Sequence, residues 1–171
     1  MPLNSADADQ SLFDTLRNQL STALLGDVLD TLGYTNQFLP SDLRPLRHDG
    51  KIAGRAMTVL ESEYASTGLS SDSRGPLASR PFGLMLDALD DLKANEIYIA
   101  SASSTGPSPQ FALWGGLMST RAHHLGCAGA ILNGFVRDIN EIATLQFPVW
   151  STGIYSKVRH TDWVVSASPK R

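Results

Sequence analysis

From Trp114 to Glu141 the chain reads WGGLMSTRAHHLGCAGAILNGFVRDINE, and no other stretch restricts its fold as tightly. Gly115 and Gly116 stand directly before a helical run from Leu117 to Leu125, which leaves backbone N–H groups and the positive end of the helix dipole free to hold an anion. Gly126 is placed to end that helix in a left-handed conformation. Ala128, Ala130, Ile131 and Leu132 then make a compact run suited to a buried strand. Asn133 and Gly134 predict a turn, after which Arg137 and Asp138 emerge near the carboxyl end of that strand. Ligands of layered α/β folds sit at that end. The succession of helix, buried strand and a further short helix from Ile139 to Leu145 predicts a mixed α/β domain.

A chain of 171 residues with 42% hydrophobic content is enough for one well-cored domain and too short for two. Fourteen basic and seventeen acidic residues give a net charge of -3, without a run of Lys or Arg, so nucleic acid is disfavoured as a partner. The single Cys127 excludes an internal disulfide framework, and the start of the chain lacks a signal-peptide pattern; a cytoplasmic protein is expected. No apolar stretch reaches the length that spans a bilayer, so no membrane role is expected.

Residues 1–20 read as a polar, frayed start through Asp9 followed by a helix with Leu12, Phe13, Leu16 and Leu20 at helical spacing. Ser21 or Thr22 caps a second helix carrying Leu24, Leu25, Val28, Leu29 and Leu32, with Gly33 as its stop and Asp27 and Asp30 on its solvated face. Pro40 and Pro45 bracket an extended passage, and Ile52 to Leu60 has the character of a strand, with Gly54 allowing close backbone packing. Ser62 to Pro81 reads as a long flexible loop whose Arg74 and Arg80 are solvated. Phe82, Met85, Leu86, Leu89 and Leu92 follow a helical period that feeds a short buried strand from Glu96 to Ala100. A second loop, Ser101 to Gln110, leads into Trp114, and further strands are expected from Pro148 to Thr152 and from Trp163 to Ser166.

Taken alone, Arg137 and Asp138 are an exposed ion pair at a helix start, where an aspartate suits the dipole. His123 and His124 are adjacent on the helix and point about a hundred degrees apart, so at least one belongs to the surface or an interface. Cys127 reads as a small core residue rather than a catalytic thiol. P-loop, dinucleotide, zinc-finger and G-x-S-x-G patterns are missing.

The central stretch resembles the RraA-like family, which includes the 4-hydroxy-4-methyl-2-oxoglutarate aldolases. That family's pattern is G-(D/E/G)-L-(M/L), then A-x-x-x-G-x-x-G, then D-G-x-x-R-D. Gly115, Leu117, Met118, Ala122, Gly126, Gly129, Gly134, Arg137 and Asp138 match it at the expected spacing. STALLGDVLDTLG, LPSDLRPL and KIAGRAMTV extend the resemblance, which covers roughly Ser21 to Gly153. Two residues depart from it: Asn133 stands where most members have Asp, and Gly116 where the aldolases have an acidic residue. The P-G-D and D-x-x-G-V patterns of the family's C-terminal strands are missing.

The resemblance implies a layered β/β/α domain, similar to the phosphohistidine domain, over residues 1–171, assembled as a trimer or hexamer with sites at subunit interfaces. It implies that Asp138 ligates a divalent cation, Mg²⁺ or Mn²⁺, largely through water, and that Arg137 binds the keto oxygen of a 2-oxo acid and stabilises its enolate. The backbone around Gly115, Gly116, Leu117 and Met118 would bind the substrate carboxylate. Aldol cleavage and oxaloacetate-type decarboxylation are the implied activities. Glycine at 116 removes the side chain that organises proton transfer, and Glu61 and Glu63 are candidates to replace it, against a plainer reading as a polar strand end. The same glycine opens a second expectation, a biosynthetic cyclase closing a β-keto substrate by a Dieckmann-type reaction. A third is a non-catalytic binding or regulatory module.

Overall fold

Five strands of the chain run parallel, and the stretch that follows an inner one lies at the carboxyl ends of the strands. The computed structural model describes residues 5–47, 50–63, 84–103, 111–157 and 163–167. Two helices come first, α1 (Ser5–Asn18) and α2 (Thr22–Thr31), followed by strands β1 (Arg44–Pro45) and β2 (Arg55–Glu63). Helix α3 (Leu84–Asp90) precedes β3 (Glu96–Ser103) and β4 (Ala112–Trp114), and α4 (Gly116–His124) leads into β5 (Gly129–Val136). Helix α5 (Ile139–Leu145), β6 (Val149–Ile154) and β7 (Trp163–Ala167) complete the order. One seven-stranded sheet runs β1-β6-β5-β3-β2-β7, with β4 paired to β5. The β2, β3, β5 and β6 neighbours are parallel, while β1 on β6 and β7 on β2 are antiparallel. The expected mixed α/β single domain is what the chain forms.

Alternation along the strands decides which side is core. Met57 and Val59 of β2, Tyr98 and Ala100 of β3, and Ala130, Leu132 and Val136 of β5 share one face. Leu89 from α3, Met118 and Ala122 from α4 and Ile142 from α5 cover it. Trp114 and Phe147 fill the centre, their rings stacked with centroids 6.2 Å apart. Burial of large apolar side chains of this kind is the main favourable term in folding.

Several boundaries differ from the sequence reading. Helix α1 begins at Ser5, inside the stretch expected to fray, because Asp9 is held by a two-pronged ion pair with Arg55 at 2.7 and 2.8 Å and Phe13 is buried. Ser21 caps α2 by accepting from the Leu24 N–H, and Gly33 follows its end with φ +88°, as expected. Asn133 and Gly134 do not turn the chain. They lie inside β5, where the ladder shifts register between Leu132 and Phe135, and the Asn133 amide donates to Ser101 Oγ on β3. A bulge satisfies the same turn-prone residues while strand pairing continues on both sides. Ser62 and Glu63 complete β2, and Ser101 to Ser103 complete β3, so both strands run into the stretches expected as loops, whose remaining residues 64–81 and 104–110 lie outside the described residues. Arg74, Arg80 and Phe82 lie outside the described residues. Gly54 does permit close packing, since a Cβ there would meet the Asn95 carbonyl oxygen.

Candidate functional site

The stretch singled out in the sequence folds into a ledge of backbone at the carboxyl end of β5. β4 was not expected, and its pairing with β5 carries the chain through Trp114, whose carbonyl accepts from the Arg137 N–H at 3.0 Å. Gly115 then serves as the extended N-cap of α4, without a capping side chain, and the helix ends at Gly126 with φ +76°. Beneath the ledge the Trp114 indole N–H donates to Ser119 Oγ at 2.6 Å, both groups fully buried.

Arg137 and Asp138 are brought onto this ledge as neighbours. Asp138 occupies the N-cap position of α5, yet makes no side-chain cap to its own helix. Its backbone is left-handed, φ 57°, a conformation aspartate tolerates better than most residues. The carboxylate turns instead to the Gly116 N–H, at 3.0 Å from Oδ2, with Arg137 Nε 3.3 Å away. A Cβ on Gly115 would sit 2.6 Å from that same oxygen, so residue 115 has no room for a side chain while Asp138 is held there. The Gly116 N–H, expected to serve the substrate, is therefore engaged by Asp138. First-turn N–H groups of Leu117 and Met118 are the ones that the helix leaves over. The Leu117 side chain is 82% exposed, whereas that of Met118 enters the core, so their shared feature at the site is backbone.

A carboxylate of α5 lies against residue 116. A Cβ on Gly116 would collide with Glu141 Oε2, and would come within 3.3 Å of Asp138 Cβ. Glu141 is therefore seated where an acidic side chain at 116 would project. The sequence reading missed it because Asp138-x-x-Glu141 has the spacing of a capping box, which explains it as helix structure. The signal was the pairing of that acid with a glycine, rather than the acid alone. Glu61 does not fill the role: it lies on β2, two strands from β5, with its side chain on the buried face. It is 5% exposed, its Oε1 has no hydrogen-bond partner among the described residues, and burial lifts its carboxyl to about 7. The side chain of Glu63 lies outside the described residues.

Among the described residues no three His, Cys, Asp or Glu side chains come together as a metal cluster. Asp138 and Glu141 both lie against the Gly115–Gly116 backbone on a partly open ledge, and two hard oxygen donors there suit a hard cation that keeps several waters. His123 and His124 are both exposed, His123 lying edge-on to Phe147, and Cys127 is buried. No helix among the described residues is long and apolar enough to cross a membrane.

Comparison with known proteins bears on the fold and the family. Protein DlpA of Legionella pneumophila is 26% identical over 148 residues, covering 83% of this chain and 22% of DlpA, so the chain spans about a fifth of that relative. Streptomyces coelicolor RraAS2, described as an unusual member of the RNase ES inhibitor RraA protein family, superposes with a TM-score of 0.66 at 19% identity, over 96% of this chain and 73% of that one. The RNA-processing inhibitor RraA of a Thermus species gives 0.58 at 20% identity, over 86% and 76% of the two chains. The RraA-like family model, described as Aldolase/RraA, matches residues 22–166, from the first turn of α2 into β7 and through the whole ledge, and the chain belongs to that family.

Proposed function

We propose that the chain is a divalent-metal-dependent enzyme that breaks a carbon–carbon bond beside a 2-oxo group, as a 2-oxo acid aldolase or an oxaloacetate-type decarboxylase. The observation that supports it is the meeting of Asp138, Glu141 and Arg137 over the bare backbone of Gly115 and Gly116. Asp138 and Glu141 are the residues that would hold Mg²⁺ or Mn²⁺. When bound, the ion supplies Lewis-acid polarisation of the substrate's carboxylate and keto oxygens.

The remaining steps fall to the chain itself. The N–H groups of Leu117 and Met118, with the α4 dipole, bind the substrate carboxylate. Arg137 donates to the keto oxygen. As the bond from C3 to C4 of oxaloacetate breaks, carbon dioxide leaves, the electron pair moves to that oxygen, and the guanidinium stabilises the enolate. A proton added at C3 gives pyruvate, and Glu141, exposed to solvent, is the carboxylate placed to pass it. The protein acts as a homo-trimer or hexamer in the cytoplasm on a small 2-oxo acid. Glu141 also answers the departure at Gly116, so that glycine does not by itself call for a cyclase.

The test is pyruvate release from oxaloacetate and from 4-hydroxy-4-methyl-2-oxoglutarate, with Mg²⁺ or Mn²⁺ and again with a chelator. Chelator-sensitive turnover that disappears in Asp138→Ala is expected; turnover indifferent to both would sink the reading. A regulatory role is the second reading, favoured by the relatives described as inhibitors of RNA processing. A stable protein complex that survives both Asp138→Ala and metal removal would favour it over the enzyme.

A further inference from the structure

The chain has asparagine at Asn4, Asn18, Asn36, Asn95, Asn133 and Asn140, and of these Asn133 is the one followed by glycine. Glycine has no Cβ to hinder its own backbone nitrogen, which can then approach the amide carbon of the residue before it. Packing holds the pair in place, since a Cβ on Gly134 would run into the buried Leu113 side chain. Asn133 itself is exposed. Its side-chain amide donates to Ser101 Oγ at 3.2 Å, the long end of the hydrogen-bond range. The backbone is also least restrained at this point of β5. Pairing with β3 ends at Asn133, pairing with β4 starts at Phe135, and the ladder with β6 passes from Leu132 to Phe135. Gly134 falls in the gap that the bulge leaves in all three ladders, where the chain is less tied than in the strand around it.

We infer that Asn133 is a site of spontaneous modification in the folded chain, with the Ser101 hydroxyl as its brake. The Gly134 nitrogen gives up its proton and bonds to Asn133 Cγ, the Cγ–Nδ2 bond breaks, and Nδ2 leaves with that proton as ammonia. Water then opens the five-membered imide that results. Opening at Cγ leaves aspartate on the original main chain; opening at the main-chain carbonyl leaves isoaspartate, with the chain routed through Cγ. In sum one water enters and one ammonia leaves, so no oxidant or cofactor takes part. Ser101 opposes the reaction because its hydrogen bond must be given up before the amide can turn toward Gly134. The two products differ in reach. Aspartate adds a negative charge at an exposed position, whereas isoaspartate inserts a carbon into β5 between Asn133 and Arg137, on the strand that carries the ledge. The inference is independent of the reaction at Asp138.

Trypsin cuts after Arg121 and Arg137, and Asn133 is the sole asparagine in the peptide between them. The experiment incubates the intact wild-type protein in mildly alkaline buffer and follows that peptide by mass and by chromatography, which separates its asparagine, aspartate and isoaspartate forms. Near-ultraviolet dichroism of the Trp114 core at each time point shows that the chain is still folded. Digestion is kept brief and slightly acidic, so that reaction in the free peptide does not contribute. Conversion at Asn133 is expected severalfold faster than at any of the other five asparagines, with isoaspartate among the products. A peptide that stays unchanged in the folded chain, or converts no faster than the other five, overturns the site. Ser101→Ala should convert Asn133 severalfold faster than wild type, and a rate no higher than that of wild type overturns the assignment of Ser101 as the brake.

Discussion

Two carboxylate environments lie on the same sheet and are handled in opposite ways. On the ledge, Asp138 accepts a backbone N–H and sits beside a guanidinium, and Glu141 is exposed above glycine. In the core, Glu61 shares its face of the sheet with Met57 and Val59, and neither its Oε1 nor the nearby Tyr98 hydroxyl has a hydrogen-bond partner among the described residues. Burial, helped by the charge of Glu61, pushes the Tyr98 phenol far above its usual range. Charge is accommodated where donors converge, and disfavoured where only carbon surrounds it. The acid that looks most perturbed is therefore not the one at the ledge.

Removing Asp138 should have the largest effect. Asp138→Ala takes away the group that links the Gly116 N–H, Arg137 and the proposed ion, and turnover should fall by about 10³-fold or more. Loss of Mn²⁺ binding in the same variant, followed by titration calorimetry, separates this from a general loss of structure. The contrast with the core breaks if Asp138→Ala binds Mn²⁺ as tightly as wild type.

The opposite side of the comparison is tested through pH. The Glu61 carboxyl is raised from 4.5 to about 7 in the folded chain, so the neutral form is favoured there. Below pH 4.5 both folded and unfolded chains carry the proton, and burial costs no ionisation. Between pH 4.5 and 7 the unfolded chain loses it first, so stability falls through that window and levels off above 7. The shift corresponds to about 3 kcal/mol. Glu61→Gln should remove this fall, and the difference between the two proteins in urea unfolding should grow by that order across the window. A difference that does not change with pH would mean that the buried carboxyl is reached by water or by a partner.

The difference between these regions also explains what the sequence made legible. The helix after Gly116, the end at Gly126 and the delivery of Arg137 and Asp138 were all readable, because they depend on local backbone preference and apolar spacing. The turn expected at Asn133 and Gly134 was not there, since pairing with β3 and β6 overrides a local turn preference. Glu141 escaped notice because its meaning lies in contact with a residue twenty-five positions earlier, and a glycine gives no sign of what fills its empty side.

Exchanging the two carriers of the ledge carboxylate sharpens the account. Glu141→Gln removes one of the two carboxylates proposed to hold the ion and should weaken Mn²⁺ binding by about 10-fold or more, at least the loss seen when a group behind a metal ligand is changed. Gly116→Asp alone puts a side chain where Glu141 Oε2 already lies and should not improve binding. Gly116→Asp combined with Glu141→Gln restores one carboxylate to the space and should recover at least part of the affinity lost in Glu141→Gln. If the double variant binds no better than Glu141→Gln, the two residues do not share one role.

The smallest expected effect asks whether the ledge and the core are energetically separate. Tyr98, in the region of Glu61, packs on Trp114 with ring centroids 4.8 Å apart, and the Trp114 indole N–H ends on Ser119 of α4, directly under the ledge. Ser119→Ala leaves that buried donor without its acceptor and should cost about 1 to 2 kcal/mol in urea unfolding. Trp114→Phe in the same background removes the orphaned donor, so a smaller added loss than in the single Phe variant would identify the hydrogen bond as the cause. Mn²⁺ affinity should stay within about twofold in Ser119→Ala, because Asp138 is held by the Gly116 N–H and Arg137 and not by the indole. A larger change in affinity would show that the packed ring column sets the height of the ledge, and the charged and uncharged acids would then belong to one coupled unit.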